Sequence, residues 1–148
     1  MCLGTKLSNR SLARYKAKGK KTGYIRVWKT VEDNGQKFRP DFNPEYNYKL
    51  YATGLNKAQG GAFSEQELIH AFRDRASAQK WASSADTIVV SALVHPDWIK
   101  AIGKTYNKKL TLTTKAIVMP EYPKRRVTVR EFRAAIKGKK VKVYVWEK

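Results

Sequence analysis

Residues 24–31 alternate strictly, setting Ile25, Val27, Lys29 and Val31 against Tyr24, Arg26, Trp28 and Thr30. A period of two sends successive side chains to opposite faces of an extended chain, so this segment reads as a strand. Asn34-Gly35 follows and supplies the positive φ of a tight turn, closing a first hairpin that ends at Pro40. The rest of the chain is therefore read against a sheet.

Further strands announce themselves in the same way. Tyr46, Tyr48 and Leu50 alternate with Asn47, Lys49 and Tyr51. Residues 87–94 form a short, nearly continuous apolar run of the kind that marks a buried strand. Residues 109–119 are a β-rich run closed by Pro120, and Val141, Val143 and Val145 share one face of a last strand. Between the strands, Asp74 caps a helix whose Ala78, Trp81, Ala82 and Ala85 fall at helical spacing. Pro96 and Asp97 open a short helix ended by Gly103, and a third runs from about Thr128 to Lys137.

One stretch supports two readings. Ser64 and Glu67 have capping-box spacing, which argues for a helix from Ser64. Leu68, His70 and Phe72 alternate with Ile69 and Ala71, which argues for a strand over 67–73. Residues 54–63 read as a glycine-rich loop and binding lid, although Gly60-Gly61 lacks the company of a phosphate cradle.

The sum is about six strands and about three short helices. With 148 residues, enough for one core, the expectation is an α+β single domain with a largely antiparallel sheet over residues 23–148. Residues 1–22 hold Gly4 and Gly19, little apolar periodicity and a Lys-rich tail. They read as a basic mobile N-terminal arm, or a frayed helix around residues 11–17.

No run approaches the roughly 18 to 20 apolar residues that cross a bilayer, and the N-terminus lacks a signal-peptide core. The expectation is a soluble, cytoplasmic protein with no membrane partner. A single cysteine makes no internal disulfide, and with two scattered histidines it builds no Cys/His zinc site, so neither metal nor cofactor is expected.

Charge is the strongest functional signal. The chain carries 31 Lys and Arg against 12 Asp and Glu, a net +19, and its ends hold the excess. Residues 1–29 have nine bases and no acid, residues 120–148 ten bases and three acids, and the middle ninety residues only +3. A polyanion is the natural partner, because each neutralised phosphate releases counterions. The candidate phosphate-binding residues are Arg10, Arg14, Lys16, Lys18, Lys20 and Lys21 in the arm. At the other end they are Lys124, Arg125, Arg126, Arg130, Arg133, Lys139 and Lys140. Lys124, Arg125 and Arg126 precede a helix whose free amides also favour phosphate, and Arg126, Arg130 and Arg133 are spaced to share a helix face.

Tyr46, Tyr48 and Tyr51 are candidate stacking residues, since exposed aromatics on a sheet hold bases. Trp28, Trp81, Trp98 and Trp146 read as core, His70 as a packed strand residue, His95 as a helix-entry residue and Asp97 as a cap. No zinc finger, RNP aromatic pair, GXXG clamp or clear helix-turn-helix is present. Cys2 would become an N-terminal nucleophile if Met1 were removed, but the segment behind it lacks β signal and runs into a basic tail.

Cys2, Gly61, Phe63, His70, Phe72, Trp81, Val89, Val90, Ala101, Gly103, Ala116, Ile117, Met119 and Pro120 follow an order that resembles a family of small uncharacterised bacteriophage-encoded proteins. The family pattern joins its glycine, aromatic and histidine, whereas six residues separate Phe63 from His70 here. The resemblance implies a strand over 67–73 and a viral accessory role, such as host takeover or counter-defence, in a host cytoplasm.

The reading is a non-enzymatic basic protein that binds nucleic acid, DNA or RNA, or a nucleotide through its terminal segments. The alternatives are an inhibitor or adaptor docking on an acidic host protein, and a Cys2 hydrolase.

Overall fold

A computed structural model describes residues 5–40, 51–58, 68–85, 87–105, 109–137 and 142–143. In chain order the elements are β1 (Thr5–Lys6), α1 (Asn9–Ala17), β2 (Ile25–Asp33), β3 (Phe38–Pro40), β4 (Gly54–Lys57), β5 (Ile69–Phe72) and α2 (Arg75–Ala85). There follow β6 (Ile88–Val94), a 3₁₀ turn (Pro96–Trp98), β7 (Ile99–Lys104), β8 (Leu110–Thr114), β9 (Ala116–Met119), α3 (Val129–Lys137) and β10 (Lys142–Val143). This is an α+β fold on a largely antiparallel sheet, with strand order β1-β7-β8-β5-β2-β6-β9-β4-β10 and β3 also on β2. Among the described strands only the β10–β4 pair is parallel.

The sheet curls back on itself. β8 and β9 are joined by the single residue Lys115, yet β5, β2 and β6 lie between them along the hydrogen-bonded path. The path therefore has to bend round through those three strands to return to the same stretch of chain. Inside the curl the period-two rows meet: Val27 and Val31, Ile69 and Ala71, Val90, Ala92 and Val94, Leu112, Ile117 and Met119 form one buried cluster. Such a core holds the strands in register, because a one-residue slip would turn every one of these side chains outward. The opposite face is shared by two helices. α3 lays Phe132 over Leu55, Leu93 and Val118, and α2 packs on β2, β5 and β6 with Ala78 and Ala82 buried.

The first hairpin is as expected: Gly35 has φ +88°, Asp33 Oδ1 accepts its N–H at 2.8 Å, and Val31 pairs with Pro40. Asp74 caps α2, its Oδ1 accepting the Ser77 N–H at 3.2 Å. Residues 69–72 are a strand, which decides between the two readings of that stretch. Pairing with both β2 and β8 fills the backbone bonds there.

Several expectations are corrected. The described sheet has ten strands rather than about six. The run over 109–119 is two strands that bend at Lys115, whose N–H donates to the Trp98 carbonyl at 2.9 Å. The helix expected over 95–103 is a 3₁₀ turn followed by β7. His95 Nδ1, not Asp97, caps the turn by accepting the Asp97 N–H at 3.1 Å. A helix there would leave the edge of β8 without its ladder, and buried backbone groups need partners. Residues 54–57, expected as part of a loop, are β4 between β9 and β10. The expected strand over 46–50 lies outside the described residues.

Residues 5–22 are not an arm apart from the domain. β1 pairs with β7, the Leu7 N–H donates to the Ile102 carbonyl at 2.9 Å, and α1 buries Tyr15 in the main core. Gly19 sits so close to the start of β2 that a Cβ there would stand 2.7 Å from the Tyr24 carbonyl oxygen. Low periodicity hid this docking because one aromatic anchors the segment, with Leu7 and Leu12 packed beside it.

Candidate nucleic-acid interface

On the outer face of the sheet, between α2 and the segment leading into α3, lies an open groove of about 860 Å³. Its floor is Trp28 of β2 with Val89 and Ser91 of β6. One wall is Arg75, Gln79 and Ser83 of α2, and the other is Arg125 and Arg126. Among the described residues no acid lines it, and none of the three arginines forms an ion pair.

The second wall is built with care for backbone position. The Ser91 N–H donates to the Arg125 carbonyl at 2.7 Å, and the Val127 N–H donates to the Ser91 carbonyl at 2.9 Å. Residues 125–127 thus lie as a one-residue parallel bridge on β6. Arg26 locks the arrangement: its Nη1 donates to Ser91 Oγ at 2.7 Å and its Nη2 to the Val127 carbonyl at 2.8 Å. Burial lowers the Arg26 pKa, the Arg126 charge lowers it further, and Tyr24 opposes both. Arg26 is thus structural, whereas Arg125 and Arg126 remain exposed.

The three described tryptophans differ in their surroundings. Trp81 packs on Phe72 at 6.2 Å between centroids and lies under Lys109 Nζ at 5.7 Å. Trp98 packs between His95 and Phe132, each 5.9 Å away. Trp28 is half-buried in the groove floor and makes no aromatic or cation–π contact among the described residues.

Not all the expected binding residues converge here. Arg125 and Arg126 line the groove, and Lys124 is exposed just before them. Arg130 and Arg133 are exposed on α3, but Arg126 precedes the helix and does not share their face. The α3 N-terminus is also occupied. Glu131 Oε1 accepts the Thr128 N–H and Thr128 Oγ1 accepts the Glu131 N–H, both at 3.1 Å, a reciprocal capping box that places a carboxylate where phosphate was expected. Arg10, Arg14, Lys18, Lys20 and Lys21 are exposed and Lys16 is half-buried. All belong to α1 or the turn after it; α1 packs on β7 and the 3₁₀ turn, and none of these bases lines the groove. Lys139, Lys140, Tyr46, Tyr48 and Cys2 lie outside the described residues.

Tyr51 is corrected outright. It is 5% exposed and packed in the core beneath Lys29, whose Nζ is 5.8 Å from its ring, so no base reaches its face. Lys29 is itself 2% exposed, on the inward row of β2, and donates to the His70 carbonyl at 2.5 Å. Charge counting therefore overstated the surface contribution of residues 1–29.

Sequence reasoning missed Arg75 and Trp28. For Trp28 a signal existed: alternation sets it with Arg26 and Thr30, opposite the apolar row that forms the core. Among the described residues no group of three or more His, Cys, Asp or Glu is placed to hold a metal, and no helix is long and apolar enough to cross a membrane. No family model, curated protein or solved structure matches this chain.

Proposed function

We propose that this protein is a non-enzymatic nucleic-acid-binding protein whose contact surface is the groove between α2 and the 125–127 segment. The observation that carries this reading is the groove's lining: Arg75 faces Arg125 and Arg126 across a floor holding an aromatic ring, with no acid among the described lining residues. Arginine forks hold phosphate oxygens at fixed geometry, and concavity suits a chain lying within it better than a flat docking partner. The exposed bases of α1 and α3 widen the positive field and steer a polyanion toward the groove. The resemblance to bacteriophage-encoded proteins adds a viral accessory setting in a host cytoplasm.

Fluorescence anisotropy of labelled DNA and RNA across a salt series tests the reading. Binding should weaken steeply with salt. Replacing Arg75, Arg125 and Arg126 together by alanine should reduce the slope of log K against log salt by about 2 to 3, at roughly 0.7 to 0.9 per lost phosphate contact. A flat salt response, or a triple variant with wild-type slope and affinity, refutes the groove as the contact surface.

A further inference from the structure

Within that nucleic-acid reading, on which this inference rests, we infer that the groove takes single strands, with Trp28 stacking an unpaired base between phosphates held by Arg75 and by Arg125 and Arg126. Three observations converge. Trp28 is the described tryptophan whose ring is not already packed by an aromatic or a cation, and it forms the floor rather than the rim. The walls on either side carry the cations, so a backbone on the walls turns its bases inward and down onto the ring. Finally, the groove's volume of about 860 Å³ is in the range of pockets that enclose small-molecule-sized ligands, which matches one or two splayed nucleotides.

A duplex does not exploit such a floor. Its base faces are covered by their neighbours, and a side chain reaches them only by unstacking a step, whereas single-strand binders offer an aromatic platform flanked by cations. The side chains present also explain indifference to sequence. Stacking accepts any base, and guanidinium groups directed at phosphate read none. DNA and RNA single strands share this chemistry, and the assay separates them.

The test uses the full chain with labelled dT20, rU20, an abasic 20-mer and a 20-base-pair DNA duplex, measured by anisotropy at several salt concentrations. Wild-type protein should prefer dT20 or rU20 over both the duplex and the abasic strand. The better of the two names the natural backbone. Trp28→Ala should weaken single-strand binding about 5- to 150-fold, while its log–log salt slope stays unchanged because no phosphate contact is lost. Trp28→Phe should keep most of the affinity, and it keeps the test decisive if the alanine variant folds poorly. Tighter binding of the duplex, or Trp28→Ala binding dT20 and rU20 as wild type does, overturns the single-strand assignment and leaves the phosphate groove standing. Salt-insensitive or undetectable binding of every probe overturns both.

Discussion

Arg26 ties three parts of the chain together, and removing it tests whether the groove depends on that tie. In Arg26→Met the aliphatic bulk remains while two hydrogen bonds disappear, to Ser91 Oγ at 2.7 Å and to the Val127 carbonyl at 2.8 Å. Each is worth about 1 kcal/mol at a half-buried site, the central value for a protein hydrogen bond. Ser91 and Val127 are 7% and 1% exposed, so stranding their oxygens adds about 1 kcal/mol more. Relief of the repulsion with Arg126 returns at most about 1 kcal/mol. The net loss is about 2 to 3 kcal/mol, which at an m-value of about 2 kcal/mol per molar lowers the urea midpoint by about 1 M.

The same variant should bind nucleic acid several-fold more weakly, although it keeps Arg75, Arg125 and Arg126. Loss of Arg26 leaves the 125–127 segment on its two backbone bonds to Ser91 and loosens the placement of its guanidinium groups. Arg26→Lys should not rescue either property, since an ammonium does not reproduce a planar fork spanning two acceptors. Urea unfolding followed by circular dichroism, with anisotropy on the folded protein, reads both effects. A wild-type midpoint for Arg26→Met would refute the bridge as a stabilising contact. A lowered midpoint with unchanged affinity would refute its role in placing Arg125 and Arg126.

Three further outcomes follow from the packing. Phe132→Ala should lose about 3 to 5 kcal/mol in chemical denaturation, because its ring fills the space between Tyr24 and Trp98 and is 2% exposed. Gly19→Ala should destabilise by about 1 to 3 kcal/mol, since its methyl meets Tyr24 backbone, Ile25 and Pro96, and a wild-type melting temperature would contradict the close docking of the segment after α1. Burial raises the Tyr15 pKa to about 12 against a weaker opposing pull from Arg73. The neutral phenol's contribution is therefore complete below the ordinary tyrosine pKa of 10.0 and is lost as pH rises toward 12. Tyr15→Phe should gain stability relative to wild type across pH 10 to 12, and parallel pH profiles would count against the assignment.

What was legible in the sequence was local. The alternation at 24–31 set Val27 and Val31 on one face of a strand and Asn34-Gly35 named its own turn, because period and turn chemistry act within a few residues, although Trp28, on the opposite face, was read as core. The spacing of Ala78, Trp81 and Ala82 found α2 for the same reason. β7 was hidden because its partner, β8, decides its conformation: a Pro-Asp start and a glycine stop describe a helix until an open strand edge lies alongside. Tyr51 looked like a platform for the same want of tertiary context, since a strand pattern does not say which face the fold will cover. The groove was the least legible feature. Its cations stand at 75, 125 and 126 and its floor at 28 and 91, and only the curl of the sheet brings them together. Cationic composition pointed to a polyanion but gave equal weight to α1, whose bases face elsewhere.

If the groove binds a polyanion as proposed, its electrostatics tie that binding to stability. Bases that serve solubility lie best apart, yet Arg26 and Arg126 sit close enough for the charge of one to lower the pKa of the other. Among the described residues no carboxylate lines the groove to relieve them. Asp33, whose pKa is lowered chiefly by the Tyr122 hydroxyl and the Gly35 N–H, feels Arg125 only as a minor contribution. The folded state therefore holds two like charges close together beside the hydrogen-bonded 125–127 segment. A phosphate chain bound as proposed would offset that repulsion in the native state and find no equivalent arrangement in the unfolded one. Binding and stability would then be coupled: an anion that fits the groove should raise the unfolding free energy by RT ln(1 + [L]/Kd), whereas a cationic surface without such a site should gain little from it.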